Sequence, residues 1–267
     1  MPTENEEQNK IQQCRRVLER LRNESFNQTT EAKLASHAYI RAAEEGTLTL
    51  AQKRAFAIEQ FAIQKSDAIS FAYLAGHRGF LPRSLSTATV PTDPEVKYPK
   101  NNDESDLFQF LLGGEIYAAS LLLDCANFFG MDGEDTIKEQ SQGTLSPLAQ
   151  AYPSYWARLA LNNQRAAAAA ACAVNFPAWG RMCQKLLVAL KKSKSNTEDS
   201  GASFSTEEVD KGLAFIQFFA TPIDNLDDMA VAIMAQEDEL PYDEIAEHVR
   251  LLQEYELLFW DACYNAK

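Results

Sequence analysis

The feature that most limits the fold of this chain is a helical spacing of apolar residues that recurs along nearly its whole length. In residues 50–76, Phe56, Ile63 and Phe71 recur near the 3.6-residue period of an α-helix. Further helices are predicted at 8–22, 31–45, 106–129, 145–161, 165–192, 206–220, 224–235 and 242–264. No run alternates β-branched and polar residues as a half-buried strand would. About eight to ten helices without strands predict an all-α, single-domain bundle.

The segments between these helices predict the domain organisation. Residues 23–30 are polar, so we assign residues 1–30 to an N-terminal helix with a polar segment, and residues 31–267 to the helical domain. Residues 77–105 contain Pro82, Pro91, Pro94 and Pro99, which predicts a long loop that either covers a pocket or lies on the surface. Residues 191–205 are polar and rich in serine, which predicts a second, exposed loop.

The charge of the chain excludes some classes of partner. It has 25 Lys and Arg against 38 Asp and Glu, a formal net charge of -13. A surface this acidic repels phosphate backbones and anionic lipids, so we expect no nucleic-acid partner and no membrane partner. Apolar runs such as 166–174 are shorter than the about 20 residues of a membrane span, and residues 1–10 lack the apolar core of a signal peptide. We therefore expect a cytoplasmic protein.

Cysteine and histidine content limits metal and disulfide chemistry. The five cysteines are odd in number and include no CxxC pair, so neither a disulfide framework nor a zinc site is predicted. The three histidines are His37, His77 and His248, few for a metal site that depends on imidazole. We expect no bound metal and no cofactor.

Two glutamates stand in apolar surroundings on long predicted helices. Glu59 has Phe56 three residues before it and Ile63 four residues after it, and Glu115 follows an apolar run. Two such carboxylates on core helices suggest a metal site inside the bundle. The usual Glu-x-x-His pattern is missing, because alanine stands three residues after each glutamate. The alternative is that each lies at the edge of its apolar stripe and reaches solvent.

Three further features bear on catalysis. Glu256 stands among Tyr255, Leu257 and Leu258, where loss of hydration would raise its pKa and suit it to general acid work, unless it faces solvent. Cys172 lies in an alanine-rich helix and is either a nucleophile or an inert core thiol. The aromatic residues of the segment 151–156 suit either stacking on a planar ring or core packing.

Three segments together resemble the TenA / thiaminase II family. Residues 251–264, with the core Tyr-Glu-Leu-Leu-Phe-Trp-Asp-Ala-Cys-Tyr, resemble the last helix of that family. Residues 37–52 are similar to its opening helix pair, and Ala-Tyr-Pro-Ser-Tyr-Trp at 151–156 is similar to its Ala-Tyr-x-Ser-Tyr motif. The resemblance covers about residues 35–265 and implies a haem-oxygenase-like all-α fold, assembly as a homo-oligomer, and hydrolysis of thiamine or of an aminopyrimidine derived from it.

The resemblance also implies site residues. Glu256 matches the catalytic glutamate, and Tyr152 matches the active-site tyrosine. The nucleophile position falls on Cys172 if it is counted back from Gly180, and on Asn175 if it is counted without a gap from Tyr152.

The family's Gln-Asp-Tyr stands here as Glu59-Gln60-Phe61. Gln60 therefore presents an amide where the family has the aspartate that binds the pyrimidine.

The function predicted on these grounds is a TenA-like hydrolase that cleaves a C–N bond. Cys172 and Glu256 would be catalytic, and the substrate-binding residues would be Tyr152, Gln60, Glu59, Tyr155 and Asn175. The partner would be a small molecule of the pyrimidine class. Two alternatives remain open: a non-catalytic small-molecule-binding or regulatory protein on the same scaffold, and a metal oxidase with Glu59 and Glu115 as ligands.

Overall fold

The computed structural model describes residues 3–76, 106–195 and 205–267. In these three ranges the chain forms twelve α-helices and no strand. In chain order they are α1 Glu4–Asn23, α2 Ser25–Ala35, α3 Ala38–Glu44, α4 Leu50–Leu74, α5 Leu107–Phe128, α6 Gly133–Ser141, α7 Pro147–Leu161, α8 Arg165–Ser195, α9 Thr206–Gly212, α10 Ala214–Ala220, α11 Leu226–Met234 and α12 Tyr242–Tyr264. The all-α prediction is confirmed. The predicted loop at 77–105, and residues 196–204 of the second predicted loop, lie outside the described residues.

Local sequence explains where several helices begin and end. Helix α4 begins after Thr49, whose side chain accepts from the Gln52 backbone N–H while the Gln52 side chain accepts from the Thr49 backbone N–H. Gly46 follows the end of α3 with a φ of 72°, a backbone conformation that glycine adopts readily and that is common just after a helix. A glycine with a positive φ therefore ends one side of the α3–α4 connection, and a side-chain capping box begins the helix on the other side.

Most of the polar segment 23–30 is helical, so the helix predicted from residue 31 begins earlier in the structure, at Ser25. Asn27 and Thr30 of α2 are buried, and the Asn27 side chain accepts a hydrogen bond from Gln253 of α12. Contacts with α8 and α12 hold this polar helix in place. Tertiary packing thus overrides a sequence that shows no apolar stripe.

Two other predicted helices have different limits in the structure. The helix predicted at 31–45 is interrupted at His37, whose Nδ1 accepts from the Tyr39 backbone N–H at 3.1 Å and starts α3. Helix α8 continues to Ser195, which shortens the predicted loop at 191–205 from its N-terminal side. Ser205 at the other end of that loop is the N-cap of α9.

Five long helices build the centre of the bundle. Helix α4 packs against α5 and α7, and α12 packs against α7 and α8. Residues 166–173 of α8 are all buried, and seven of these eight are alanine. Side chains this small let α8 pack closely against its neighbours. The buried side chains form two apolar clusters, and Tyr152 of α7 packs against both of them.

Helix α5 has the length and composition of a helix that could cross a membrane. Its mean hydropathy over an 18-residue window is 1.3, and 56% of that window is buried. Gln109, Glu115 and Asp124 interrupt its apolar residues, so α5 contains no uninterrupted apolar run of that length. One mostly buried helix of this kind is weak evidence for a membrane, because core helices have the same composition, and α5 packs against α4, α9 and α10.

Candidate functional site

A cavity of about 1120 Å³ lies between the central helices. It is lined by residues of α4, α5, α7, α8, α10 and α12 and by the segment 220–228. Most of the wall is apolar, and its aromatic residues are Phe110, Tyr117, Tyr152, Phe176, Trp179, Phe218, Phe219 and Phe259. A concave, mostly apolar space with a few polar groups is the usual form of a small-molecule site.

Three polar side chains of α4 line this cavity. Gln60, Gln64 and Asp67 are spaced by four and three residues, which places them along one face of the helix. All three are buried. Gln60, one of the residues predicted to bind substrate, therefore lines the cavity, and Gln64 and Asp67 extend the same polar face further along α4.

The carboxyl groups of Asp67 on α4 and Glu115 on α5 both line the cavity and interact with each other. Burial raises the pKa of Glu115 to about 8, against which a hydrogen bond with Gln64 acts. Burial, and then the charge of Glu115, raise the pKa of Asp67 well above its usual value. Both groups therefore favour the protonated form at neutral pH, because each is withdrawn from bulk water and the two would repel if both were charged.

Glu256 of α12 lines the same cavity and is 3% exposed. Burial raises its pKa to about 8, while a hydrogen bond from Trp260 and the charge of Arg181 act in the opposite direction. The Trp260 Nε1 lies 3.5 Å from the Glu256 Oε1. At neutral pH Glu256 thus holds a proton that it can donate, which is the property expected from its aromatic neighbours in the sequence.

Tyr152 of α7 also lines the cavity. Burial and the charges of Asp67 and Glu256 raise the pKa of its phenol well above the usual value. Its ring meets the Trp156 ring edge to face, with 6.3 Å between centroids. Tyr152 is therefore a fixed ring with a protonated hydroxyl group that can donate to a ligand.

The two candidates for the nucleophile position, Cys172 and Asn175, are both buried and do not line the cavity. Cys172 is completely buried, is not one of the residues that line the cavity, and has a thiol pKa raised well above its usual value by burial and then by the charge of Asp67. Asn175 is 1% exposed, also lies outside the cavity lining, and its amide atoms lack a hydrogen-bond partner among the described residues. The role of each remains a prediction.

Glu59 and Tyr155 do not line the cavity. Glu59 accepts hydrogen bonds from the Ser146 backbone N–H at 2.7 Å and from the Gln150 Nε2 at 2.6 Å, so its carboxylate fixes the start of α7. The Tyr155 hydroxyl lies 2.7 Å from the Nδ1 of His248, on another side of α7. These hydrogen bonds account for the burial of the polar groups of Glu59 and Tyr155 without a bound ligand.

The structure also separates the two glutamates of the metal-oxidase alternative. Glu59 is bonded at the start of α7, whereas Glu115 interacts with Gln64 and Asp67 in the cavity. Within residues 3–76, 106–195 and 205–267, no group of three or more His, Cys, Asp or Glu side chains is arranged to hold a metal ion.

Sequence reasoning missed Gln64, Asp67 and Arg181 as residues of the cavity. The signal for the first two was present, because Gln60, Gln64 and Asp67 repeat at helical spacing within an apolar helix. It also missed the segment 220–228, in which Asn225 has a φ of 58° and precedes α11. Nothing in the local sequence indicates that this segment closes one side of the cavity.

The raised pKa of Glu115 predicts a pH-dependent effect of the substitution Glu115→Gln. Between about 4.5 and about 8 the folded state holds a proton on Glu115 that the unfolded state releases, so stability falls as pH rises through this range. Glutamine does not titrate, so the Glu115→Gln variant does not lose stability in this way as the pH rises. At pH 9 we expect the variant to be more stable than the wild type by up to about 5 kcal/mol, and at pH 4 to be nearly equal to it.

Urea unfolding followed by far-UV circular dichroism at both pH values measures this difference. The matched control is Glu254→Gln, since Glu254 is exposed on α12 and pairs with Arg250. An equal stability difference for Glu115→Gln at pH 4 and pH 9 would show that Glu115 titrates normally.

Comparison with known proteins gives no match in sequence and a clear match in structure. No family model matches the chain, and no curated protein matches it. The crystal structure of a TenA homolog from Pseudomonas syringae pv. tomato str. DC3000 is similar with a TM-score of 0.60 and 14% identity, covering 92% of this chain and 91% of that chain. A TenA homologue protein from P. horikoshii OT3 is similar with a TM-score of 0.55 and 12% identity, covering 93% of this chain and 98% of that chain.

These matches extend over nearly the full length of all three chains. At identities this low they establish the fold, and the resemblance noted in the sequence is supported at that level. The chain therefore has the all-α, haem-oxygenase-like fold of TenA homologues, with a sequence that has diverged far from theirs.

Proposed function

We propose that this protein is a TenA-like hydrolase that cleaves a C–N bond of thiamine or of an aminopyrimidine derived from it. The main support for the proposal is the position of Glu256. Its carboxyl group is buried, lines a large and mostly apolar cavity, and has a pKa raised to about 8. A carboxyl group with a pKa near the working pH is suited to donate a proton to a leaving amine. The fold shared with TenA homologues supports the same assignment.

The proposed reaction uses three residues that line the cavity, Glu256, Tyr152 and Asp67, together with the buried Cys172. The Cys172 thiolate attacks the pyrimidine, the C–N bond breaks with its electron pair going to nitrogen, and Glu256 protonates the departing amine. Water then displaces the thiol and completes the hydrolysis. Tyr152 holds the ring, and Asp67, whose charge acts on the Cys172 thiol, takes the thiol proton in the fraction of molecules in which its carboxyl group is ionised.

Turnover of thiamine and of an aminomethylpyrimidine tests this proposal. We expect the wild type to release amine from one of them and Cys172→Ser to lose that activity, because a hydroxyl group is a far weaker nucleophile. The matched control is Cys14→Ser, which changes another fully buried thiol on α1, outside the cavity lining. Full activity in Cys172→Ser would exclude Cys172 as the nucleophile.

A second candidate function is a non-catalytic binding or regulatory protein, and one observation favours it. Cys172 is completely buried and lies outside the cavity lining, so a ligand in the cavity does not touch the thiol in this conformation. A folded wild type that binds a pyrimidine but releases no amine from either compound would support this function. Alkylation of Cys172 by iodoacetamide that a pyrimidine ligand prevents would count against it.

The cellular setting forms part of the same proposal. The formal net charge of -13 favours neither nucleic acid nor an anionic membrane as partner, so we place the protein in the cytoplasm with a small molecule as its ligand. We also propose a homo-oligomer, on the basis of the resemblance to TenA. Light scattering after size-exclusion chromatography measures the oligomeric state directly.

A further inference from the structure

We propose that the end of the cavity formed by Gln64, Asp67 and Glu115 binds the ammonium group of an alkylamine whose apolar or aromatic body fills the rest of the cavity. This deepens the proposed function by naming the ligand class, and it rests on that proposal only in treating the cavity as the ligand site. It also holds if the protein binds its ligand without cleaving it.

The first support is a set of oxygen atoms without partners. Oε1 of Gln64, Oδ1 of Asp67 and Oε2 of Glu115 are buried and accept no hydrogen bond from any described residue. Gln64 and Asp67 are 3% and 4% exposed, and both line the cavity. Buried polar atoms are nearly always paired, so three unpaired oxygens at one end of a cavity indicate a missing donor.

The second support is the missing counter-charge. Among the described residues that line the cavity, Arg181 is the cation, and it forms an ion pair with Glu31 at 3.1 Å. The charge of Arg181 acts on Glu256, whereas the interactions of the Asp67–Glu115 pair are with each other, Gln64, Tyr152 and Cys172. Without a cation nearby the two carboxyl groups stay in their neutral form, and a cationic ligand would stabilise their charged form.

The third support is the match of donors to acceptors. An alkylammonium group has three N–H donors and no acceptor, which fits three unpaired oxygens. A neutral hydroxyl group brings one donor, and a metal ion would require more ligands than the described residues assemble there. The aromatic wall, including Trp179 and Phe219, suits an apolar body attached to the amine.

Binding of a cation should release a proton. The titratable groups that act on one another here are Asp67 on α4, Glu115 on α5, Tyr152 on α7 and Cys172 on α8, together with Glu256 on α12, which acts on Tyr152. At pH 7 the carboxyl pair is mostly protonated without ligand. An ammonium ion stabilises the charged form, so about one proton passes to the buffer for each ligand bound.

The test compares benzylamine with benzyl alcohol, two probes of nearly equal shape that differ in charge and donors. Isothermal titration calorimetry of the wild type at pH 7 should show benzylamine binding at least tenfold more tightly than benzyl alcohol. Titrations in buffers of different ionisation enthalpy should show the release of about one proton. Equal affinities, or benzylamine binding without proton release, would overturn the proposal.

Two isosteric variants locate the site. We expect Glu115→Gln and Asp67→Asn each to weaken benzylamine at least tenfold and to leave benzyl alcohol within about twofold. The control, Glu254→Gln, changes an exposed carboxylate on α12 and should alter neither affinity. Benzylamine affinity unchanged in both cavity variants would place the amine elsewhere and refute the assignment.

The readout separates this inference from the proposed hydrolase. Tight benzylamine binding with no turnover of thiamine or aminomethylpyrimidine would uphold the amine site and reject the hydrolase. Turnover of either compound, together with equal affinities for benzylamine and benzyl alcohol, would support the hydrolase and reject the amine site. If 4-aminopyrimidine binds more tightly than benzylamine, the site recognises a ring amine rather than an alkylammonium group, and the inference fails.

Discussion

Replacing Glu256 by glutamine is expected to reduce the turnover of the cleaved substrate by about a hundredfold to ten-thousandfold, the usual effect of losing a positioned general acid. Glutamine keeps the size of the side chain and can still accept from Trp260, whose Nε1 lies 3.5 Å from the Glu256 Oε1. It has no proton to give to the leaving amine. The loss should therefore appear in kcat, with little change in KM.

The pH profile of the wild type adds a second readout. Because burial raises the pKa of Glu256 to about 8, its proton is present below that pH and is lost above it. We expect kcat to fall as pH rises through about 8, and the residual activity of Glu256→Gln to lack this decline. The matched control is Glu254→Gln on the same helix, whose side chain is 49% exposed and pairs with Arg250. A Glu256→Gln enzyme within threefold of the wild type would reject the role of general acid.

The second large effect concerns stability, and we expect it from Trp260→Ala. Trp260 is completely buried, and its ring lies 5.4 Å from Tyr39, 5.9 Å from Phe56 and 5.2 Å from Trp179, measured between centroids. Alanine leaves a large cavity where α3, α4, α8 and α12 meet. We expect the free energy of unfolding to fall by about 3–5 kcal/mol, a large part of the total for an ordinary domain.

Urea unfolding followed by far-UV circular dichroism measures this loss without relying on tryptophan fluorescence. Trp260→Phe keeps an aromatic ring, so it should lose less than half as much stability. Leu161→Ala is the surface control, because Leu161 is 73% exposed and should change stability by no more than about 0.5 kcal/mol. A loss below about 1 kcal/mol for Trp260→Ala would show that this aromatic cluster contributes little to the fold.

The helices differ in how far the sequence predicts them. Helix α4 is predicted well, because its capping residues and its apolar spacing lie within one short segment. Helix α2 is not, because its polar residues become helical only through contacts with α8 and α12, as the hydrogen bond between Gln253 and Asn27 shows. Residues within α4 determine where that helix forms, whereas contacts with residues far away in the chain determine α2.

The candidate site shows the same division. Glu256 could be predicted because its apolar neighbours are adjacent in the chain. Asp67 was missed because Glu115, whose charge raises the pKa of Asp67, lies on another helix. Tyr152 and Tyr155 look alike in sequence, but one lines the cavity and the other is bonded to His248.

The sequence by itself determined the all-α class, most helix positions and the acidic surface, because helical periodicity, capping and net charge are properties of neighbouring residues or of composition. Only the tertiary structure decided that Glu59 fixes the start of α7 while Asp67, Glu115 and Glu256 share one cavity. Helices with apolar residues on most faces do not reveal which face is turned inward. That choice depends on packing between segments far apart in the chain, which also brings buried carboxyl groups together and raises their pKa values.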